Sequence, residues 1–311
     1  MRHVYQEGGV PVWVDLHNPT DAEIAQACSD CKLSIPTREE LDEIENSSRM
    51  RADGETLTLS LPITPYHPDK PPLSTPIGFV LTPRILATVR YDELHTFHKV
   101  ATDIERDKNI YSSSQIFAML VESLVEYAAD KLEHLQGDTR AISKTIFHRD
   151  QAVRKDVQKK SAMLRDVLIK LGDMGERLSE LRETLLTLQR VLPFVVDRGQ
   201  AWIGADVATR LRTTVGDIQS LNDFETHLTD KVQFLLDATL GFINNQQNDM
   251  FRVLTIASVV GIPPVFVAGL YGMNFQNQPE YHWAFGYEWG WAMIIISAIV
   301  PIAWFKWRGW W

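Results

Sequence analysis

Two uncharged apolar runs dominate the hydropathy pattern of the chain. Val253–Phe275, VLTIASVVGIPPVFVAGLYGMNF, contains no charged residue. A helical Val253–Leu270 would span about 27 Å, close to the hydrocarbon core of a bilayer. The run breaks at Tyr271-Gly272-Met273-Asn274-Phe275, and a second one, Trp289–Phe305, follows almost at once. This pattern predicts a two-helix membrane hairpin at the C-terminal end, carried by a large soluble body that has no comparable run.

Residues 1–110 read as a mixed α/β domain. Val12-Trp13-Val14-Asp15-Leu16 is strand-like, and Asn18-Pro19-Thr20-Asp21 turns into a short helix near Ala22–Cys28 capped by Thr20 or Asp21. A second helix starts at Pro36-Thr37-Arg38-Glu39 and runs on through Glu40-Leu41-Asp42-Glu43-Ile44-Glu45. Leu57, Leu59 and Leu61 alternate with polar residues, the strand period. Ile77–Leu81 and Ile85–Val89 form a hairpin about Thr82-Pro83-Arg84, and Pro62 to Pro76 reads as a loop.

From Ser113 the pattern turns helical. Ile116, Leu120, Leu124, Tyr127, Leu132 and Leu135 mark one apolar stripe. Leu164, Val167, Leu171, Met174, Leu178, Leu181, Leu185, Leu188 and Leu192 alternate spacings of three and four, a heptad seam that Pro193 is expected to stop. Gly199 to Gly204 lies in the turn back. A third long helix starts near Ala205, and no convincing stop signal separates Leu211 from Leu270. It is read as one continuous helix whose cytosolic half packs on the heptad helix and whose last turns enter the membrane. The partition is therefore 1–110 α/β domain, 111–250 helical stalk, and 251–311 two-helix transmembrane domain with an external loop at 272–288.

Charge then orients the hairpin. Arg252 precedes the first run, Lys306 and Arg308 follow the second, and the connecting loop carries Glu280 and Glu288 but no Lys or Arg. The positive-inside rule puts both termini in the cytosol and the loop outside. The tail Trp304-Phe305-Lys306-Trp307-Arg308-Gly309-Trp310-Trp311 reads as an interfacial anchor. The net charge of -9 excludes a nucleic-acid partner and suits a protein that attracts cations. The first residues have no signal-peptide core.

Two helices cannot enclose a pore, so they either anchor a monomer or several copies surround an axis. The first run carries Thr255, Ser258, Gly261, Gly269 and Pro263-Pro264, whereas the second is bulkier, with Trp289, Trp291, Met293, Ile294, Ile295 and Ile296. Small residues allow close helix approach, and polar ones prefer a wet face to lipid. On a 100° wheel Asn248, Phe251, Thr255, Ser258, Ile262, Val265 and Gly269 share one broad face with Leu254 at its edge. This face would line the axis, although small residues and prolines also serve simple packing and kinks.

Other chemistry is sparse. Cys28 and Cys31 have no second pair to complete a zinc site and read as two reduced thiols on a short helix. His95 and His98 read as surface residues. There is no nucleophile constellation and no phosphate-binding Gly-x-x-x-x-Gly-Lys loop, so neither an enzyme nor a nucleotide-driven pump is indicated.

Tyr-Gly-Met-Asn-Phe at 271–275, straight after the first of two C-terminal membrane helices, resembles the CorA family of divalent-cation channels. Pro279-Glu280 with Trp283 and Phe285-Gly286-Tyr287 is similar to that family's external loop, and Trp13-Val14-Asp15-Leu16 with Pro19 to its N-terminal strand. The resemblance covers essentially the whole chain. It implies an α+β membrane protein: a cytosolic α/β domain, long stalk helices and two terminal transmembrane helices, assembled as a homopentameric funnel in the inner membrane. It also implies influx of Mg2+, with Co2+ and Ni2+ also carried, selection at Gly272, Met273 and Asn274, and Glu280 in the external loop. Mg2+ dehydrates reluctantly, and a ring of Asn274 amides can hydrogen-bond to its bound water without stripping it. Gly272 is expected to supply the backbone freedom that aims Asn274 inward.

Deeper in, the resemblance implies a polar ring at Asn248 and an apolar constriction at Phe251, Leu254 and Ile262. Phe251 stands where the family commonly has methionine. It further implies regulatory Mg2+ between cytosolic domains of neighbouring copies, with Asp42 and Glu43 on one side. On the other side Thr213 stands near the expected acid, and Asp217 lies one turn on. Two alternatives remain open at this point: a ZntB-like zinc transporter, against which Met273 argues, and a non-conducting, membrane-anchored coiled-coil scaffold.

Overall fold

The computed structural model describes residues 2–7, 10–43, 49–65, 74–107, 111–147, 157–273 and 279–310. They fall into two compact units, Met1–Leu236 and Asp237–Trp311. The first unit holds strands β1 (Arg2–Glu7), β2 (Val10–His17), β3 (Met50–Asp53), β4 (Thr56–Ile63), β5 (Thr75–Leu81) and β6 (Leu86–Arg90). Its helices are α1 (Asp21–Cys31), α2 (Arg38–Leu41), α3 (His95–Arg106), α4 (Ser113–Phe147), α5 (Val157–Arg198) and the first part of α6 (Ala205–Tyr271). The second unit holds the rest of α6, a 3-10 turn at Pro279–His282, and α7 (Gly286–Trp307).

The strands form one sheet in the order β1-β2-β6-β5-β4-β3, with β2 and β6 parallel and the other pairs antiparallel. Alternation along the strands sends side chains to two faces. On one face Val14, Leu16, Val80, Ala87 and Val89 pack with Ala27, Ile35 and Leu41. On the other face Trp13, Phe79, Phe97 and Phe117 meet, with the Phe79 and Phe117 rings edge-on at 5.6 Å. The same face holds a buried polar chain. The Trp13 indole N–H donates to Thr88 Oγ1 at 3.0 Å, and that hydroxyl donates to Asp15 at 2.8 Å. Arg90 then donates two N–H groups to Asp15 Oδ2, at 3.1 and 2.9 Å. Each polar atom in this chain is paired, which is what makes its burial tolerable.

The α/β sheet and the hairpin of β5 and β6 agree with the sequence reading. Thr20 caps α1 in a reciprocal box with Glu23, and Thr37 does the same for α2 with Glu40. Three expectations need correction. The second helix does not run on from Glu40: it ends at Leu41, with Asp42 as C-cap and Glu43 irregular. The Leu41 carbonyl accepts the Ser60 hydroxyl at 2.7 Å, and its buried side chain anchors the turn against β5. Ile44 and Glu45 lie outside the described residues. Pro62 and Pro76 are not loop residues but face each other across β4 and β5. Pro193 does not stop α5, which continues to Arg198. One lost backbone bond near the helix end is outweighed by burial of Val191, Leu192 and Val195.

The heptad seam of α5 is buried at Leu164, Val167, Leu171, Met174, Leu178, Leu185, Leu188 and Leu192, while Leu181 is half-buried. Within the first unit α6 meets α5 through Asn222 to Gln189 at 3.3 Å and Arg182 to Glu225 at 3.3 Å. It meets α4 through a bidentate Arg210–Glu122 pair at 3.0 and 2.6 Å. That pairing raises the Arg210 pKa. On α5, burial and then the neighbouring Glu176 push the Glu180 carboxyl up, against a hydrogen bond from Thr64 that lowers it. A raised folded-state pKa means the folded chain binds the proton better than the unfolded one. Stability from this group is therefore present below the unfolded pKa and is lost as pH rises through the folded value. Glu180→Gln is expected to raise Tm by roughly 1–2 °C at neutral pH and by less at pH 4. Thermal scans of the two proteins at both pH values check this; equal gains at both would contradict it.

Candidate functional site

In the second unit α6 contains a window of mean hydropathy 2.1, and α7 one of 1.5. Both meet the length and composition of membrane spans. Along α6, Ile256, Val260, Pro263, Val267 and Tyr271 form a half-buried stripe. Ile256 and Val260 share a crevice with Ile302 and Phe305 of α7, so this stripe faces α7. The predicted pore residues lie elsewhere. Asn248, Phe251, Leu254, Thr255, Ser258, Ile262, Val265 and Gly269 are all exposed in the single chain. Phe251 is 66% exposed and Val265 72%. Large apolar side chains left open to this degree need lipid or further copies against them. The Thr255 hydroxyl donates to the Phe251 carbonyl one turn back at 2.8 Å, so it presents its lone pairs outward.

Helix α6 stops where the sequence predicts. The Gly272 N–H turns onto the Ala268 and Gly269 carbonyls at 3.0 and 3.2 Å, and the Met273 N–H onto Leu270 at 3.3 Å. The expected reason for glycine at 272 needs refining. Among the described residues the glycines of positive φ are Gly54 and Gly309. Glycine at 272 instead relieves a tight approach: a Cβ there would stand 3.2 Å from the Ala268 carbonyl oxygen. Met273 is exposed at the end of this turn. Asn274 lies outside the described residues. Glu280 sits in the 3-10 turn and lines an open cavity with Tyr271, Gly272, Trp283, Tyr287 and Trp291, about 650 Å³ in volume.

The three acidic residues expected to hold a regulatory cation do not converge within one chain. Asp42 is 55% exposed with its carboxylate 3.9 Å from Arg38, and Glu43 and Asp217 are exposed on separate elements. Among the described residues no group of three or more His, Cys, Asp and Glu side chains could hold a metal ion. Thr213 donates to the Thr209 carbonyl at 3.1 Å. Cys28 and Cys31 are half-buried free thiols on α1, and Cys28 Sγ accepts the Ile35 N–H at 3.4 Å. His98 lies at the surface 3.5 Å from Glu93.

One charged group escaped the sequence reading. Glu225 is 1% exposed on α6, accepts the Thr229 hydroxyl at 2.7 Å, and pairs with Arg182 of α5. Its signal was present: Ile218, Leu221, Glu225, Leu228 and Val232 keep the alternating three and four spacing, with the acid in a core position.

Comparison with known proteins supplies the family. Residues 8–307 match the family model described as CorA-like Mg2+ transporter protein. The chain is 30% identical over 307 residues to the magnesium transport protein CorA of Wolinella succinogenes, covering 96% of this chain and 91% of that protein. It is 31% identical over 303 residues to the protein of the same name from Salmonella typhimurium, covering 96% and 92%. The complete structure of the CorA magnesium transporter from Methanocaldococcus jannaschii superimposes with a TM-score of 0.74 at 17% identity, covering 96% of this chain and 90% of that one. The full-length CmaX protein gives 0.67 at 15% identity, covering 96% and 88%. At those identities the structures speak for the fold: an N-terminal α/β domain, long helices and two candidate C-terminal membrane helices. The near-complete family match and the two full-length relatives together place the chain in the CorA-like Mg2+ transporter family.

Proposed function

We propose that this chain is a Mg2+ channel of the inner membrane, assembled as a homopentamer with both termini in the cytosol and Co2+ and Ni2+ as further substrates. The observation that carries this reading is the exposed face of α6 turned away from α7. It runs from Asn248 through Thr255 and Ser258 to Gly269 and ends at the Gly272-Met273 turn. Five such faces around an axis bury the apolar side chains that one copy leaves open and leave α7 toward lipid.

Within that arrangement each residue has a task. A ring of Asn274 amides at the outer mouth holds the hydrated ion by its water, and Glu280 raises the local cation concentration. Asn248 forms a second polar ring, while Phe251, Leu254 and Ile262 close the path by dewetting. Asp42 and Glu43 of one copy and Asp217 of the next bind cytosolic Mg2+ and hold the closed state. Loss of that ion frees the cytosolic domains, and α6, continuous from Ala205 to Tyr271, carries the change toward the pore. The domain partition follows: 1–110 senses, the stalk 111–250 transmits, and 251–311 conducts. No nucleotide is needed, because two charges crossing 100 mV release about 4.6 kcal/mol.

Two measurements test this reading. Liposomes carrying the protein, offered Mg2+ and Zn2+ separately, are expected to take up Mg2+; uptake of Zn2+ without Mg2+ would overturn the choice of ion. Gly272→Ala brings a Cβ to 3.2 Å from the Ala268 carbonyl oxygen, a tight contact that the turn must relieve. It is expected to lower Mg2+ entry by less than a change at Asn274 itself, with the mass of the assembly in mild detergent unchanged. Entry at the wild-type rate would remove the proposed role of this turn.

A further inference from the structure

The end of the hairpin opposite the external loop gathers three cations, Arg252, Lys306 and Arg308. Helix α7 ends in a glycine cap. Gly309 takes φ +73°, the Trp310 N–H reaches back to the Phe305 carbonyl at 3.0 Å, and the Gly309 N–H reaches the Lys306 carbonyl at 3.2 Å. The cap folds Trp310 back onto the buried Phe305 ring, 5.4 Å away, and brings it under the Arg252 guanidinium of α6 at 6.0 Å. Arg308 lies over Trp304 at 5.7 Å. Arg252, Lys306 and Arg308 are exposed, and none has a carboxylate partner among the described residues, Asp249 included.

One helical turn inward from Arg252, α6 and α7 leave an apolar crevice of about 230 Å³ between them. Ile256, Ala257, Val260, Gly261, Ile302 and Phe305 line it. At Gly261 an added Cβ would meet no heavy atom within 4 Å. A cationic, indole-lined rim thus stands directly over a gap in the apolar packing.

We propose that this is a binding site for an anionic phospholipid, with its phosphate held by Arg252, Lys306 and Arg308 and one acyl chain seated in the crevice. The inference rests on the reading of α6 and α7 as membrane spans and adds a specific headgroup chemistry to it. The occupant is a lipid rather than a free phosphate because the crevice is apolar and shares Phe305 with the rim, where that ring meets Trp310. Juxtamembrane cations attract anionic headgroups, and each of the three adds to that attraction.

The test uses the full chain purified in mild detergent. Retention of phosphatidylglycerol against phosphatidylcholine is measured by native mass spectrometry, alongside flotation of the protein with vesicles of each lipid. The wild type is expected to retain phosphatidylglycerol preferentially. Arg252→Gln combined with Arg308→Gln should weaken that retention by about tenfold or more. Arg252→Lys with Arg308→Lys should restore it, and Gly261→Leu, whose Cβ meets no heavy atom within 4 Å, should reduce retention by filling the crevice. Equal retention of both lipids, preference surviving the double glutamine variant, or displacement of the lipid by inorganic phosphate would each overturn the site. Protein that floats without headgroup preference would leave the membrane reading standing. Protein that fails to float would overturn both.

Discussion

Asn274→Ala is expected to reduce Mg2+ entry into proteoliposomes by at least about tenfold, without changing the mass of the assembly or its helix content. In the proposed ring of Asn274 side chains, removing the amide takes away the side-chain acceptors offered to the ion's water shell. A loss of about 1.4 kcal/mol of hydrogen bonding to the hydrated ion already weakens its occupancy tenfold, and a ring multiplies that loss. Asn274→Asp should act differently: the carboxylate ring binds more tightly and releases more slowly, so affinity rises while maximal flux falls. The pair of variants is read as initial Mg2+ entry against external concentration. Flux unchanged in Asn274→Ala would leave a channel standing but remove its selector from this residue.

Asp15→Ala carries the second large effect, on stability. Arg90 is 2% exposed, and its guanidinium is held by two bonds to Asp15 Oδ2, one to the Asp92 carbonyl at 3.1 Å, and the face of Phe97 at 5.1 Å. Deleting Asp15 leaves that charge in the core beside Thr88, which loses its own acceptor. Breaking a buried pair from one side costs about 3–5 kcal/mol, or roughly 10 °C in Tm for a unit of this size. Replacing both partners by apolar residues, Asp15→Leu with Arg90→Met, should cost less than Asp15→Ala alone. Thermal unfolding of the three proteins, followed by circular dichroism, decides it. A drop of under about 1 kcal/mol in Asp15→Ala would mean that the pair is not desolvated.

The elements whose residues answer to local rules were legible in the sequence. The seam from Leu164 to Leu192, the caps at Thr20 and Thr37, the unbroken α6 and its stop at Gly272 depend on spacing and on neighbours within a few residues. What failed depends on partners far along the chain. The end of α2 is set by Ser60, which takes the Leu41 carbonyl. The strands β1 and β3 lie at the edges of the sheet and are too exposed for a clear alternation. The Asp15–Arg90 pair depends on the pairing of β2 with β6, which places Asp15 opposite Thr88, two residues from Arg90. Glu225 interrupts an apolar stripe, where a lone acid ordinarily points to water, and its burial depends on Arg182 of the neighbouring helix α5. Of the candidate site, the motif and the outward face were visible in the spacing. The acids Asp42, Glu43 and Asp217 rest on the resemblance alone, since among the described residues of one chain no group of three ligands forms.

Mg2+ entry into liposomes carrying the purified protein, at low internal Mg2+ and with an imposed inside-negative potential, separates a channel from an anchor. A Mg2+ channel driven by the potential predicts entry that grows as the interior is made more negative and that vanishes when the potential is collapsed. Correctly folded protein that admits no divalent cation at any potential would contradict it and return the molecule to a membrane-anchored scaffold.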